Sequence, residues 1–125
     1  MTTKVLIVDD SMMVRQQVRR ALVENGYAVD EAHDGLDALL KLAAAPDTAL
    51  VVLDINMPNM NGLELLTHLR ACVAHAGVAV VMLTTEGQAE LMKQAKSLGA
   101  KGWIIKPFKP ELLVAAVHRL TARAS

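Results

Sequence analysis

The sequence predicts an α/β fold, a doubly wound (βα)5 three-layer sandwich with a five-stranded parallel sheet between two layers of helices. Short apolar runs that end at turn residues alternate with longer segments whose apolar residues recur at helical spacing. The short runs are apolar at consecutive positions, which is typical of strands buried on both faces. Because parallel neighbours need right-handed helical crossovers, this alternation favours a sheet covered on both sides.

The elements follow in strict alternation along the chain. Strands are predicted at residues 4–8, 27–33, 50–53, 78–83 and 102–106. Helices are predicted at residues 12–25, 36–45, 63–73, 88–98 and 111–123. A chain of 125 residues is long enough to bury one core, so residues 1–125 are expected to form a single domain.

Individual residues predict where the helices end and which faces they bury. Ser11 is expected to cap the first helix at its N-terminus, and Gly26 and Gly99 are expected to end the first and fourth helices. The apolar spacing predicts buried stripes of Val14, Val18, Ala21 and Leu22 in the first helix, Leu39, Leu42 and Ala43 in the second, Leu66, Leu69 and Val73 in the third, and Leu113, Ala116, Val117 and Leu120 in the fifth.

The composition excludes several classes of function. Thirteen basic and thirteen acidic residues give no net charge, which argues against a nucleic acid partner held by a basic excess. No apolar stretch approaches the roughly 20 residues that span a bilayer, so no membrane association is expected. The single cysteine, Cys72, cannot form an internal disulfide, and the first residues lack a signal peptide. A cytoplasmic location is therefore expected.

Polar residues stand where four of the predicted strands end. Asp9 and Asp10 follow the first strand, Asp54 follows the third, and Thr84 and Lys106 mark the ends of the fourth and fifth. The carboxyl ends of parallel strands meet at one edge of the sheet, where α/β proteins bind ligands. Asp54 alone could be a helix cap, but the residues from Met57 to Asn59 intervene before a helix can begin.

These residue types together predict a phosphoryl-transfer site. Three carboxylates at one edge repel one another unless a cation is bound, and oxygen ligands favour Mg²⁺. An ammonium and a hydroxyl group, those of Lys106 and Thr84, are suited to holding phosphoryl oxygens, and Asp54 can serve as a covalent acceptor. The alternative is an incidental cluster of salt bridges, which does not explain why each group falls at the end of a strand.

The sequence resembles the receiver domains of two-component response regulators, and in particular the single-domain chemotaxis regulators. The match includes Val5-Leu6-Ile7-Val8-Asp9-Asp10, Asp54-Ile55-Asn56-Met57-Pro58-Asn59-Met60-Asn61-Gly62, Thr84 and Lys106-Pro107-Phe108. This resemblance implies the strand order 2-1-3-4-5 and a cis Lys106–Pro107 bond.

The resemblance also implies a role for each site residue. Asp54 is the expected phosphoacceptor, and Asp10, Asp54 and the backbone carbonyl of Asn56 are the expected Mg²⁺ ligands, with Asp9 in the outer shell. Lys106 is expected to pair with the phosphoryl oxygens, and Thr84 to move and hydrogen-bond one of them. Trp103 occupies the aromatic switch position, where Tyr or Phe is more common; the alternative is a core tryptophan. Its indole N–H needs a partner. Asn56 and Glu86 occupy the positions that tune hydrolysis of the phosphoryl group.

By this resemblance the chain is a monomeric phosphoacceptor switch and not an enzyme in the ordinary sense, although it catalyses its own phosphotransfer and autodephosphorylation. A sensor histidine kinase would donate from phosphohistidine, and the face formed by the fourth helix, fifth strand and fifth helix would bind a partner protein, such as the flagellar motor switch. A phosphorelay intermediate that passes the group to a histidine phosphotransfer protein is the nearest alternative.

Two other classes fit the sequence less well. A haloacid-dehalogenase-like phosphohydrolase also uses a strand-end aspartate with Mg²⁺, but it needs a second aspartate two positions later, where this chain has Asn56. It also needs a cap domain, for which this chain leaves no room. A flavodoxin-like FMN carrier needs a first loop that cradles phosphate, and Asp9-Asp10-Ser11 presents acid there instead.

Overall fold

The computed structural model describes residues 2–121. Its strands are β1 (Lys4–Val8), β2 (Ala28–Ala32), β3 (Leu50–Leu53), β4 (Ala79–Thr84) and β5 (Gly102–Ile105). Its helices are α1 (Met12–Val23), α2 (Gly35–Ala44), α3 (Gly62–Ala71), α4 (Ala89–Ser97) and α5 (Pro110–Thr121). The strands are all parallel and form one sheet in the order β2-β1-β3-β4-β5. The predicted fold class and strand order are confirmed.

The continuous apolar runs are explained by two cores, one on each face of the sheet. Successive residues of β1 alternate between them: Leu6 and Val8 pack in the core beneath α2 and α3, and Val5 and Ile7 pack in the core beneath α1 and α5. Side chains on a strand point alternately to opposite faces, so a strand covered on both sides must be apolar at every position.

Local residues define the helix ends as predicted. The Ser11 hydroxyl accepts a hydrogen bond from the Val14 backbone N–H at 3.3 Å and so caps α1. Gly26 and Gly99 have φ angles of 90° and 87°, a left-handed conformation that glycine adopts without strain. Asn61 and Glu64 form a reciprocal capping box at the start of α3.

Two predicted stripe residues are exposed, and both errors have a local cause. Helix α3 ends at Ala71, and Cys72 turns to an extended conformation, so Val73 leaves the helical face and is 95% exposed. In α2 the buried residues are Gly35, Ala38 and Leu42, and Ala43 lies one position beyond Leu42 on the exposed side of the helix. The end of the predicted fifth helix, residues 122–123, lies outside the described residues.

Side chains cover the open edge of the sheet at β2. Its outward-facing carbonyl oxygens, those of Val29 and Glu31, accept hydrogen bonds from Arg19 at 3.2 Å and Lys41 at 3.0 Å. These bonds occupy acceptors that would otherwise be open to another strand. Within residues 2–121, no helix is both long enough and apolar enough to cross a membrane.

Candidate functional site

The predicted polar residues meet at the carboxyl edge of the sheet around one ammonium group. Lys106 Nζ donates to Asp9 Oδ2 at 2.6 Å and to Asp54 Oδ2 at 3.1 Å. Asp9 and Asp54 are only 2% and 5% exposed. The sheet brings together three residues that are far apart in the chain, because β1, β3 and β5 all end at this edge.

The backbone fixes the orientation of both buried carboxylates. Asp9 Oδ1 accepts from the Ser11 N–H at 2.9 Å, and Asp54 Oδ1 accepts from the Ile55 N–H at 2.7 Å. Each carboxylate therefore has one oxygen bonded to its own loop and the other bonded to Lys106. Asp10 lies beside them and is exposed.

Burial and the ion pairs act in opposite directions on the charges at this site. Burial raises the pKa of the Asp9 carboxyl above its ordinary value, although hydrogen bonds from Lys106 and the Ser11 N–H oppose that rise. Burial alone would lower the pKa of Lys106, but its hydrogen bonds and attraction to Asp9 and Asp54 outweigh burial and raise it. Lys106 is therefore firmly cationic.

The three carboxylates fit a hard divalent cation. Oxygen atoms of Asp9, Asp10 and Asp54 lie within 4.8 Å of one another, and one ammonium offsets only part of their negative charge. Oxygen-only donors with one open, exposed side suit Mg²⁺, which keeps several waters and takes one or two carboxylates. The chemistry of the donor set thus agrees with the predicted metal.

Thr84 and Trp103 are both tied to Glu86 in the loop between β4 and α4. The fully buried Thr84 hydroxyl accepts from the Glu86 N–H at 3.2 Å. Trp103 packs partly buried against the core beneath α2 and α3, and its indole N–H donates to the Glu86 carbonyl oxygen at 3.0 Å. Glu86 thereby supplies the partner that the indole N–H was expected to need.

Asn56 and Glu86 meet at the mouth of the site. Asn56 Nδ2 donates to Glu86 Oε1 at 2.9 Å, so the loops that follow β3 and β4 are joined by their side chains. The Lys106–Pro107 peptide bond is cis, as expected.

The loop that follows Asp54 is held by a hydrogen bond from Asn59 to Asp34, a contact that the sequence does not predict. The Asp34 carboxylate is 3% exposed and accepts hydrogen bonds from the Asp37 N–H and from Asn59 Nδ2, both at 2.8 Å. These two hydrogen bonds lower the pKa of the Asp34 carboxyl. Asn59 has a φ of 66°, and no signal in the sequence paired it with Asp34.

Two apolar grooves lie on the surface, and the first of them reaches the site at Lys106. One, of about 610 Å³, lies between α1 and the start of α5, and Val14, Gln17, Lys106 and Phe108 are among its lining residues. The other, of about 350 Å³, lies between α4 and β5. Its lining includes Met92 and Trp103 and the lysines Lys93, Lys96 and Lys101.

Known proteins are similar to this chain in sequence and in fold. The family described as "Response regulator receiver domain" matches residues 5–118. The chain is 41% identical over 112 residues to chemotaxis protein CheY1 of Helicobacter pylori strain J99, covering 88% of this chain and 90% of CheY1. The structure of Vibrio cholerae chemotaxis protein CheY4 has a TM-score of 0.90 and 39% identity over 96% of this chain and 99% of that one. A CheX–CheY–BeF3–Mg²⁺ complex from Borrelia burgdorferi has a TM-score of 0.89 and 30% identity, covering 97% and 90% of the two chains. This chain therefore belongs to the response regulator receiver domain family, among its CheY-like members.

Proposed function

We propose that residues 1–125 form a cytoplasmic, monomeric, single-domain response regulator that accepts a phosphoryl group on Asp54 from the phosphohistidine of a sensor kinase. The observation that carries this proposal is the contact of the buried Asp54 carboxylate with Lys106, beside the acidic pair Asp9 and Asp10. This arrangement presents one nucleophilic oxygen within a cluster able to hold a cation.

Each residue has a distinct part in the proposed transfer. An Asp54 oxygen attacks phosphorus, the P–O bond forms as the P–N bond to the donor imidazole breaks, and the imidazole keeps the electron pair and takes up a proton. Lys106 exchanges its contact with Asp54 for one with a phosphoryl oxygen. Asp10, Asp54 and the Asn56 carbonyl would hold Mg²⁺, with Asp9 in the outer shell. Bound there, the ion would neutralise negative charge on the phosphoryl oxygens.

The Thr84 hydroxyl links phosphorylation to the loop between β4 and α4. The Thr84 hydroxyl accepts a hydrogen bond from the Glu86 N–H, and it would donate its own O–H to a phosphoryl oxygen by moving toward that group. Glu86 also bonds the Trp103 indole through its carbonyl, so movement of this loop changes the environment of that ring. The population of states of the face formed by α4, β5 and α5 would shift with it.

The groove between α4 and β5 suits an acidic, amphipathic segment of a partner protein. Met92 and Trp103 offer an apolar floor, and Lys93, Lys96 and Lys101 offer positive charge around it. Control of the flagellar motor is the proposed output, because the relatives named above are chemotaxis proteins.

The donor kinase is proposed to approach along α1. Met12 and Met13 are 63% and 68% exposed, next to the acidic pair, and the adjoining groove reaches Lys106 and Phe108. Exposed methionines beside a groove can adapt to the shape of a partner, because their side chains are unbranched and flexible.

Phosphorylation of Asp54 is tested with acetyl phosphate, Mg²⁺ and the fluorescence of Trp103, which is the only tryptophan. We expect the intact mass to rise by one phosphoryl group and the fluorescence to change reversibly. Asp54→Asn should show neither effect with acetyl phosphate. Failure to form an acyl phosphate in the wild type would overturn the proposed function, and steady turnover of a phosphomonoester would favour a phosphohydrolase instead. A rise in mass without a fluorescence change would overturn only the switch role of Trp103.

The phosphorylated state of the isolated domain is expected to last seconds to minutes. Asn56 and Glu86 are the residue types found in chemotaxis regulators at the two positions that tune hydrolysis, and they meet at the mouth of the site. The lifetime is measured from the decay of the added mass after acetyl phosphate is removed, with Mg²⁺ kept constant. A half-life of hours would contradict this prediction.

A further inference from the structure

We propose that Arg15, held in place by Glu31, is a positioning residue. It orients the turn that carries Asp9 and Asp10 so that this acidic pair can bind Mg²⁺. This inference rests on the proposed function, because it concerns the same metal site. Arg15 Nη1 donates to the backbone carbonyl oxygen of Asp9 at 2.7 Å, and its Nε donates to Glu31 Oε1 at 3.0 Å. One guanidinium thus joins β2 to the turn that carries the acidic pair.

The guanidinium of Arg15 is held firmly. Its side chain is 15% exposed, and the second oxygen of Glu31 accepts from Arg19 Nε at 2.6 Å. Burial would raise the pKa of the Glu31 carboxyl, but the two arginines outweigh burial and lower it, so Glu31 stays ionised. A planar guanidinium between a carboxylate and a carbonyl loses little further freedom when it donates to both.

Arg15 completes a set of bonds that fix the Asp9 backbone. The Asp9 N–H donates to the Ala32 carbonyl at 3.1 Å, and the Asp9 side chain accepts from the Ser11 N–H at 2.9 Å. Because Arg15 donates to the Asp9 carbonyl oxygen, Asp9 is held at three points: its N–H, its side chain and its carbonyl group. The exposed Asp10 is the next residue in the chain, so the fixed backbone of Asp9 determines where the Asp10 carboxylate points.

The charge of Arg15 and its positioning role predict effects of opposite sign. As a positive charge near a cation site, Arg15 repels Mg²⁺, so a charge effect alone would make Arg15→Gln bind Mg²⁺ more tightly. If Arg15 positions the turn, the same substitution releases the Asp9 carbonyl and weakens binding. Substituting a residue that hydrogen-bonds to a metal ligand typically lowers the metal affinity by about 10- to 100-fold.

The test is a Mg²⁺ titration of the full chain, followed by Trp103 fluorescence and by the shift in thermal unfolding. We expect the Kd of Arg15→Gln to rise on the order of tenfold. Arg15→Lys keeps the charge but cannot donate to both partners as a fork, and its Kd is expected to rise about threefold. Arg20→Gln removes the same charge from the same helix, and it is the matched control because Arg20 is exposed and pairs with Glu24, not with Glu31. The Kd of this variant should stay unchanged or fall.

An unchanged or lower Kd in Arg15→Gln would overturn the positioning role. Should that variant not fold, Arg15→Lys decides, because a charge effect alone predicts the Kd of the wild type. A wild type that shows no Mg²⁺ response by either readout would overturn the metal site of the proposed function, and this inference with it. Wild-type binding that both Arg15 variants retain in full would overturn only the inference.

Discussion

Replacing Lys106 with methionine is expected to lower the free energy of unfolding by about 3 kcal/mol at neutral pH without Mg²⁺, because it leaves two buried carboxylates without their shared cation. Lys106 contacts both Asp9 and Asp54, and their side chains are 3% and 7% exposed. Methionine keeps most of the side-chain volume, so the loss reports on charge and not on a cavity. Urea unfolding measures this loss of stability. The control is Lys109→Met, at an exposed lysine, which is expected to change the free energy of unfolding by less than about 0.5 kcal/mol.

The loss of unfolding free energy caused by Lys106→Met, called the deficit below, should depend on pH and on Mg²⁺. Without Lys106, burial and Asp54 still raise the pKa of Asp9, while the hydrogen bond and attraction that lowered it are gone. A raised pKa in the folded state means that the protonated carboxyl favours folding, so this stabilisation is present at low pH and is lost as pH rises through that pKa. The deficit should therefore shrink in acid, and Mg²⁺ should restore part of it at neutral pH. A deficit that is constant from acid to neutral pH would contradict this account.

Replacing Gly62 with alanine is expected to lower the free energy of unfolding by about 3 to 4 kcal/mol, because the new Cβ would collide with backbone. That Cβ would overlap the Asp54 carbonyl oxygen and would lie 2.9 Å from the Ile55 Cα. Neither atom belongs to a flexible side chain, and the Gly62 N–H also donates to the Ile55 carbonyl at 2.9 Å. The segment that carries Asp54 must shift to relieve the collision.

Two other glycines serve as controls for Gly62→Ala in urea unfolding. A Cβ on Gly77 meets nothing within 4 Å, so Gly77→Ala should be neutral or stabilise slightly through the unfolded chain. A Cβ on Gly26 is equally free, but its φ of 90° should cost Gly26→Ala about 1 kcal/mol. Similar losses in all three variants would show that the close approach to Asp54 is not the cause. We also expect Gly62→Ala to take up less phosphoryl group from acetyl phosphate where it remains folded.

The ends of the helices depend mainly on residues close in the chain, so most of them could be predicted from the sequence. The helix cap at Ser11 and the stops at Gly26 and Gly99 were predictable, because each depends on hydrogen bonds or φ angles within a few residues. The stripe error at Val73 arose because α3 ends two residues before its predicted end, and helix ends depend on competing local interactions that periodicity does not resolve. The error at Ala43 lies inside α2, where the predicted stripe extends one position beyond the face on which Ala38 and Leu42 are buried.

By itself, the sequence determined the alternation of strands and helices and the strand-end positions of Asp9, Asp54, Thr84 and Lys106, because hydrophobic periodicity is a local property and parallel strands must end at one edge. Only the tertiary structure decided which side chains meet across that edge. Asn59 reaches Asp34, which is 25 residues away, Asn56 reaches Glu86 across 30, and Arg15 reaches Glu31 across 16. Those contacts depend on how loops from different strands pack against one another, and no repeating pattern in the chain encodes that packing.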